Sequence, residues 1–267
     1  MDNYNCADVT AIIPYFKDSN TIYRAVTSIM NQTLLPKKVF IIDDCSNENN
    51  STLKKIEKEF SIIEVIYLTQ NVGPGEARNK GIELADTKYI AFLDSDDTWA
   101  KHKIEKQLQY MEATNAFISS HESEIYGSIK KKRGKTNKIN IITPLKQLLK
   151  NRLATRAVMM KNTEKYRFKK GKRRAEDFLL WSQIILDGHK AIKINETLAY
   201  SYKEHYGENG LTANINKMYE GAIDAINTLR KENKINNFTF LFLVILQTLK
   251  QVIRFIKLKL RKSKLRR

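Results

Sequence analysis

Four short, nearly continuous apolar runs recur through the first half of the chain, each followed by a stretch with helical spacing. This alternation narrows the fold more than any other feature. Val9 to Pro14, Val39 to Ile42, Ile62 to Leu68 and Tyr89 to Leu93 read as strands. Between the first two, Ile22, Ala25, Val26, Ile29 and Met30 recur at the three and four spacing of one buried helical face, with Ser19 or Asn20 placed to cap it. Leu53, Ile56 and Phe60 mark a second helix, the loop Gln70 to Gly75 opens a third, and Ile104, Leu108 and Met111 mark a fourth. Strands that are apolar on both faces must be covered on both. The pattern therefore predicts the α/β class, a mostly parallel central sheet flanked by helices and joined by right-handed crossovers. Ligands of such a sheet bind beyond the carboxyl ends of its strands.

The 267 residues suffice for one large α/β domain or two small ones. After Ala116 the periodicity fades into shorter strands, a basic loop over Lys130 to Lys138 and a helix starting near Pro144. EDFLLWSQIILDG, from Glu176, then reads as a helix with Trp181, Ile184 and Ile185 on its apolar stripe and Gly188 as its stop. Strand-like AIKI and LAYSY follow, then a helix over Lys217 to Leu229. The expected division is a main domain over 1–215, with halves at about 1–115 and 116–215, and a C-terminal helical region over 216–267. Cys6 and Cys45 make neither a disulfide framework nor a zinc spacing, and no basic, apolar leader precedes Pro14, so the body is expected in the cytosol.

Net charge is +18, and nine Lys or Arg with no acid lie in the last thirty residues. Such an excess points to an anionic partner: nucleic acid, a membrane surface or a phosphorylated substrate. Phe238 to Leu246 is almost continuously apolar before Lys250, Arg254, Lys257 and Lys259 interrupt it. This leaves fewer than the roughly 18 apolar residues of a spanning helix. The tail is accordingly predicted to be an amphipathic helix lying on anionic lipid, which would make the protein peripheral at the inner face of the cell membrane. The competing reading is a helix packed on the body or on a partner protein, with a solvated basic end.

Acidic clusters stand at two predicted strand ends, Asp43-Asp44 and Asp94-Ser95-Asp96-Asp97. Closely spaced carboxylates there can share a hard divalent cation, although acids after a strand also serve as turn caps. Asp44 could equally accept hydrogen bonds from a ribose or a base edge. Between the clusters lies NVGPGEARNKG, Asn71 to Gly81, a glycine-rich approach to a helix with Arg78 in its first turns. Glycines allow close backbone approach, a helix start offers free N–H groups, and an arginine fork suits a diphosphate. Glu176 and Asp177 open a later helix, either as capping acids or as a proton acceptor for a hydroxyl nucleophile. Lys169 to Arg174, just before them, is either an anion-binding segment or a solvated loop. Trp181 and Tyr202 could stack on a sugar face or pack in the core.

Taken together, IIPYF, MNQT, IIDDCS, NVGPGEARNKG, YIAFLDSDD and AEDFLLW resemble the family 2 glycosyltransferases, over about Val9 to His205. The family's inverting enzymes have the Rossmann-like, nucleotide-sugar GT-A fold. The resemblance implies that Pro14, Asp44 and Arg78 line the nucleotide, with Asp18, Gly73 and Ser95 in the same donor pocket and Asp94 near ribose or diphosphate. It implies that Asp96, with Asp94 and His205, holds Mn2+ or Mg2+, and that Asp177 is the catalytic base with Glu176 as the fallback. This chain departs from the usual pattern after the first proline, where it reads Tyr15-Phe16-Lys17-Asp18. The expected reaction moves a hexose-type sugar from a nucleotide donor, UDP-linked by resemblance, to a glycan or lipid-linked acceptor in bacterial surface polysaccharide synthesis. A sugar-phosphate nucleotidyltransferase would share the sheet and the acids, but usually opens with a glycine-rich loop where this chain has PYFKDSN. A basic RNA-binding module would account for the charge but not for the acidic clusters, which repel phosphate unless a cation intervenes, so no nucleic-acid partner is expected.

Overall fold

β1 (Cys6–Tyr15) pairs in parallel with a strand on each side, and Val9, Ala11, Ile12 and Ile13 are completely inaccessible to solvent. Its apolar run is continuous because both of its faces are covered. The computed structural model describes residues 6–47, 50–128, 138–202 and 214–264, with side chains up to Ile256. After β1 come α1 (Ile22–Met30), β2 (Leu35–Asp43), α2 (Ser51–Glu59), β3 (Ile63–Tyr67), α3 (Pro74–Leu84) and β4 (Tyr89–Phe92). The second half holds β5 (Thr98–Trp99), α4 (Lys103–Thr114), β6 (Ile118–Ile125), β7 (Ile139–Ile141), α5 (Pro144–Leu149), β8 (Met159–Lys161), α6 (Glu176–Leu186) and β9 (Ala191–Ser201). Two helices follow, α7 (Ile215–Lys231) and α8 (Asn237–Lys264).

One sheet runs in the order β3-β2-β1-β4-β8-β6-β9-β5, with β7 beside β9. β3, β2, β1 and β4 are parallel. β8 runs antiparallel to both β4 and β6, β6 is parallel to β9, and β5 and β7 are antiparallel to β9. The sheet is thus parallel where the sequence alternates strongly and mixed where the periodicity fades. Strand register aligns the carboxyl ends: Tyr15 lies opposite Asp43, and Ile12 opposite Phe92. β1, β2 and β4 therefore deliver both acidic clusters to the same edge.

One face of the sheet packs Val9, Ala11, Ile13, Val39 and Ile41 against α1, α2 and α4. The other packs Ile12, Phe40, Ile42 and Phe92 with α3, Phe168 and α6. A Cβ on Gly81 would lie 2.7 Å from Ile12 Cγ2, so only glycine lets α3 seat this close to β1. Trp181 is fully buried, 5.9 Å from Phe92 and 5.5 Å from Phe168 between ring centroids, and is a core residue. A third cluster joins Phe178 and Leu179 of α6 to Ala225, Ile226 and Leu229 of α7 and Leu243 of α8.

Two expectations need correction. Thr21, not Ser19 or Asn20, sits at the start of α1. The chain leaves β1 through Lys17 in the left-handed region (φ +56°) and turns about the Asp18 carbonyl, which accepts from Thr21 N and Ile22 N. The tail also exceeds the length assigned to it, since α8 is one helix and Asn237–Ile256 is long and apolar enough, by length and composition, to cross a membrane. Lys250 and Arg254 are too few among twenty residues to break the apolar character of that stretch.

Candidate active site

At the end of β2 the two acids do different work. Asp43 is a turn cap, its Oδ1 accepting from Ser46 Oγ at 2.5 Å and Ser46 N at 3.1 Å. Asp44 reaches across to the glycine-rich loop, where Oδ1 accepts from Val72 N at 2.7 Å and Oδ2 from Gly73 N at 2.8 Å. Gly73 has φ +91°, a conformation that favours glycine. Burial pushes the Asp44 carboxyl up, and the two amides and the charge of Arg173 oppose the shift. Each carboxylate oxygen retains a second acceptor position. Pro14, half-buried, lies opposite Ile42, and Asp18 at the exit of β1 accepts from Ser95 Oγ at 2.5 Å.

The acidic run after β4 is gripped by arginines. Arg78, buried in α3, donates from Nη2 to Asp94 Oδ1 at 2.7 Å and from Nη1 to Glu176 Oε1 at 3.4 Å. Arg156 donates to Asp97 Oδ2 at 2.6 Å, and Arg24 donates to the Asp96 carbonyl at 3.0 Å while lying 3.5 Å over the Tyr202 ring. Burial pushes the Asp97 carboxyl up to about 7, with Asp94 and Asp96 adding to the shift and Arg156 opposing it. Nε of Arg78 and Nε of Arg156 are buried and have no hydrogen-bond partner among the described residues.

Glu176 and Asp177 open α6 directly after Ala175, which is in the left-handed region (φ +51°). Asp177 accepts from Asn151 Nδ2 at 2.8 Å and from Phe178 N at 2.7 Å. Burial raises both carboxyls, Glu176 to about 7 with help from the charge of Asp177, while Arg78 pulls each down. Gly75 leaves the room Glu176 needs, since a Cβ there would come within 3.2 Å of Glu176 Cγ.

The basic segment before the helix is not a free loop. Lys169 bonds Thr228, Gly171 N donates to Glu76, Lys172 donates to Gly221 O and Asp224, and Arg173 donates to Asn71 O. These contacts pin Lys169 to Arg173 between the glycine-rich loop and α7.

Short contacts join Asp18 to Ser95, Asp44 to Gly73, and Arg78 to both Asp94 and Glu176, and Asp177 feels the charges of Arg78 and Asp94. The Asp96 carbonyl meets Arg24, and Pro14 stands near the carboxyl end of β1. His205 and residues 129–137 of the basic loop lie outside the described residues. Among the described residues no group of three or more His, Cys, Asp or Glu is poised to hold a metal ion. Arginines hold Asp94 and Asp97. Sequence reasoning did not find Arg24, Arg156 or Asn151. Arg24 shows only as a basic residue off the buried stripe of α1, and nothing in the spacing around Arg156 or Asn151 marks them.

The profile of the family described as Glycosyl transferase family 2 matches residues 10–175. That span holds Asp44, Arg78 and the acidic run and ends one residue before Glu176. A Bacillus subtilis protein provisionally named the teichuronic acid biosynthesis glycosyltransferase TuaG is 30% identical over 211 residues, 72% of this chain and 77% of that protein. The Escherichia coli UDP-Glc:alpha-D-GlcNAc-diphosphoundecaprenol beta-1,3-glucosyltransferase WfgD is 29% identical over 194 residues, 71% of this chain and 73% of that one. Among solved structures, Staphylococcus aureus TarS 1-349 in complex with UDP-GlcNAc superposes with a TM-score of 0.66 at 18% identity, covering 82% of this chain and 66% of TarS 1-349. The chain thus spans just under two thirds of that structure, and the likeness establishes a GT-A fold.

Proposed function

This chain belongs to glycosyl transferase family 2, and on that premise we propose that it moves a hexose-type sugar, with inversion, from a nucleoside diphosphate donor to a hydroxyl of a glycan or lipid-linked acceptor. The observation that carries this reading is the Arg78 bridge, which ties a donor-side carboxylate, Asp94, to the acid pair that opens α6. The uridine donor and the lipid-linked acceptor are taken from what the E. coli and S. aureus proteins are named for binding or using, and a role in bacterial surface polysaccharide synthesis from the name of the B. subtilis protein.

In this reading Asp44 fixes the glycine-rich loop against the nucleotide, with Pro14 and Asp18 bordering the base and ribose. The buried, acceptor-less Nε atoms of Arg78 and Arg156 favour an anionic ligand beside the acidic run. The donor set suits Mn2+ or Mg2+, because such ions are commonly held by one or two carboxylates with substrate phosphate and water completing the shell. Asp96 would supply that carboxylate, with Asp94 and His205 as further ligands. When bound, the cation would stabilise the charge of the leaving diphosphate.

A neutral alcohol is a poor nucleophile, so a nearby carboxylate must take its proton as the new bond forms. Asp177 is that base. Its raised pKa makes it a better proton acceptor, Asn151 orients it, and Glu176 is the alternative. The acceptor oxygen attacks the anomeric carbon opposite the diphosphate, in one displacement with no covalent intermediate. Residues 1–215 form the transferase domain, and 216–267 attach it to the inner face of the cell membrane through an anionic lipid surface. Asp177→Asn is expected to keep donor affinity and lose transfer by about 10²–10⁴-fold. Turnover at the parent rate would assign the base elsewhere.

A further inference from the structure

α8 presents two unlike faces. Phe238, Leu241, Ile245, Leu249, Val252 and Ile256 are all exposed, and their spacings of three and four place them on one stripe. The stripe covers about a quarter of the helix circumference and runs about 27 Å at 1.5 Å per residue. The opposite face is tied to the body. Leu243 is buried against Ala225, Ile226 and Leu229, Lys250 donates to the Leu149 carbonyl at 2.5 Å, and on the flank of the stripe Thr248 pairs with Tyr219 at 2.9 Å. Gln251 donates to Asn216 Oδ1 at 3.2 Å and to the Ile215 carbonyl at 3.4 Å. The face turned to solvent is thus the apolar one, the reverse of an ordinary surface helix.

We infer that α8 lies flat on an anionic bilayer, with the Phe238 to Ile256 stripe inserted among the acyl chains and the opposite face still seated on α7, rather than crossing the membrane. This deepens the membrane attachment proposed above and rests on it. Crossing would require the helix to leave α7 and give up Leu243 and the three polar ties. Charge selects lipid over a second copy of the chain. Seven Lys or Arg and no acid follow Ile256, and the rest of the chain is itself net basic at +11, so a second copy would bring like net charge to this end. A layer of anionic headgroups brings the opposite charge.

The test uses the full chain, with no donor or acceptor present, and vesicles of phosphatidylglycerol or phosphatidylcholine. Single tryptophans are placed along the stripe as Leu241→Trp, Leu249→Trp and Ile256→Trp, and quenched by lipids brominated at shallow or deep acyl positions. Trp99 and Trp181 are buried and provide an unquenched background. A flat helix gives the same depth at all three positions, on phosphatidylglycerol in preference to phosphatidylcholine and more weakly as salt rises. In the double variant Ile245→Glu with Leu249→Glu, vesicle binding falls at least about tenfold while melting temperature and UDP affinity stay at the parent values. Depth graded along the helix would mean a crossing segment, and absence of quenching or a dimer formed through the stripe would mean another occupant. Each of these overturns the inference. Because no sugar transfer is measured, a failure of the transferase reading would leave this result standing, and the reverse also holds.

Discussion

Arg78 shows how one side chain can tie two distant stretches of sequence into one site. It is buried between Asp94 and Glu176, and removing it leaves two carboxylates without their cation. Arg78→Met is expected to cost about 3 kcal/mol of stability, the lower end for a broken buried pair because Asp94 is partly exposed. It also favours the protonated acids, since the charge of Arg78 helps to pull Glu176 and Asp177 down. Transfer requires the ionised base, so the rate rises with pH as the Glu176–Asp177 pair loses its last proton, above the ordinary carboxylate range. Asn151→Ala removes a hydrogen bond that favours charged Asp177. Single-turnover rates should then fall more at pH 6 than at pH 8, and an equal loss at both would deny Asn151 this role. Asp44, Arg78, Asp94 and Asp177 could be named as candidates from the sequence because they stand at strand ends or in the first turns of helices. Arg24, Arg156 and Asn151 could not, since each meets its partner only through a fold that brings separate segments together.

Two elements determine how tightly this edge of the sheet is held. Gly81 lets α3 lie on β1, and Gly81→Ala overpacks Ile12 at an expected cost of about 1–3 kcal/mol, measured by denaturant unfolding. The second is α7, whose Gly221 carbonyl and Asp224 receive Lys172 from the segment leading into Glu176. Lys172→Met should lower stability by about 1–2 kcal/mol and reduce transfer more than UDP binding, with Lys172→Arg restoring part of both. An unchanged rate in Lys172→Met would show that the segment needs no such anchor. The strands and helices of the first half follow from periodicity because each is long enough to show one. β5, β7 and β8 have only two or three residues, too few to display a period, and strand direction in the second half depends on long-range pairing. The Lys169 to Arg174 segment read equally well as a solvated loop, because nothing local announces that Gly221, Asp224 and Thr228 wait for it.

Across the whole molecule, the parallel register of β1, β2 and β4 brings two acidic clusters to one edge, and α6 supplies an acid pair whose Glu176 shares Arg78 with Asp94. α8 lies beyond α7, whose other neighbour is α6, so the helix proposed to meet lipid is packed onto the body that carries the base. Donor diphosphate, Asp96 and the Glu176–Asp177 pair are expected to share one pocket organised by Arg78. The most direct test is a crystal structure of the full chain with UDP and Mn2+. The diphosphate is expected between Asp96 and Arg78, with the Asp177 carboxylate facing the β-phosphate across a gap of one sugar ring. Nucleotide bound away from Arg78, or Asp177 turned from the diphosphate, would contradict this arrangement.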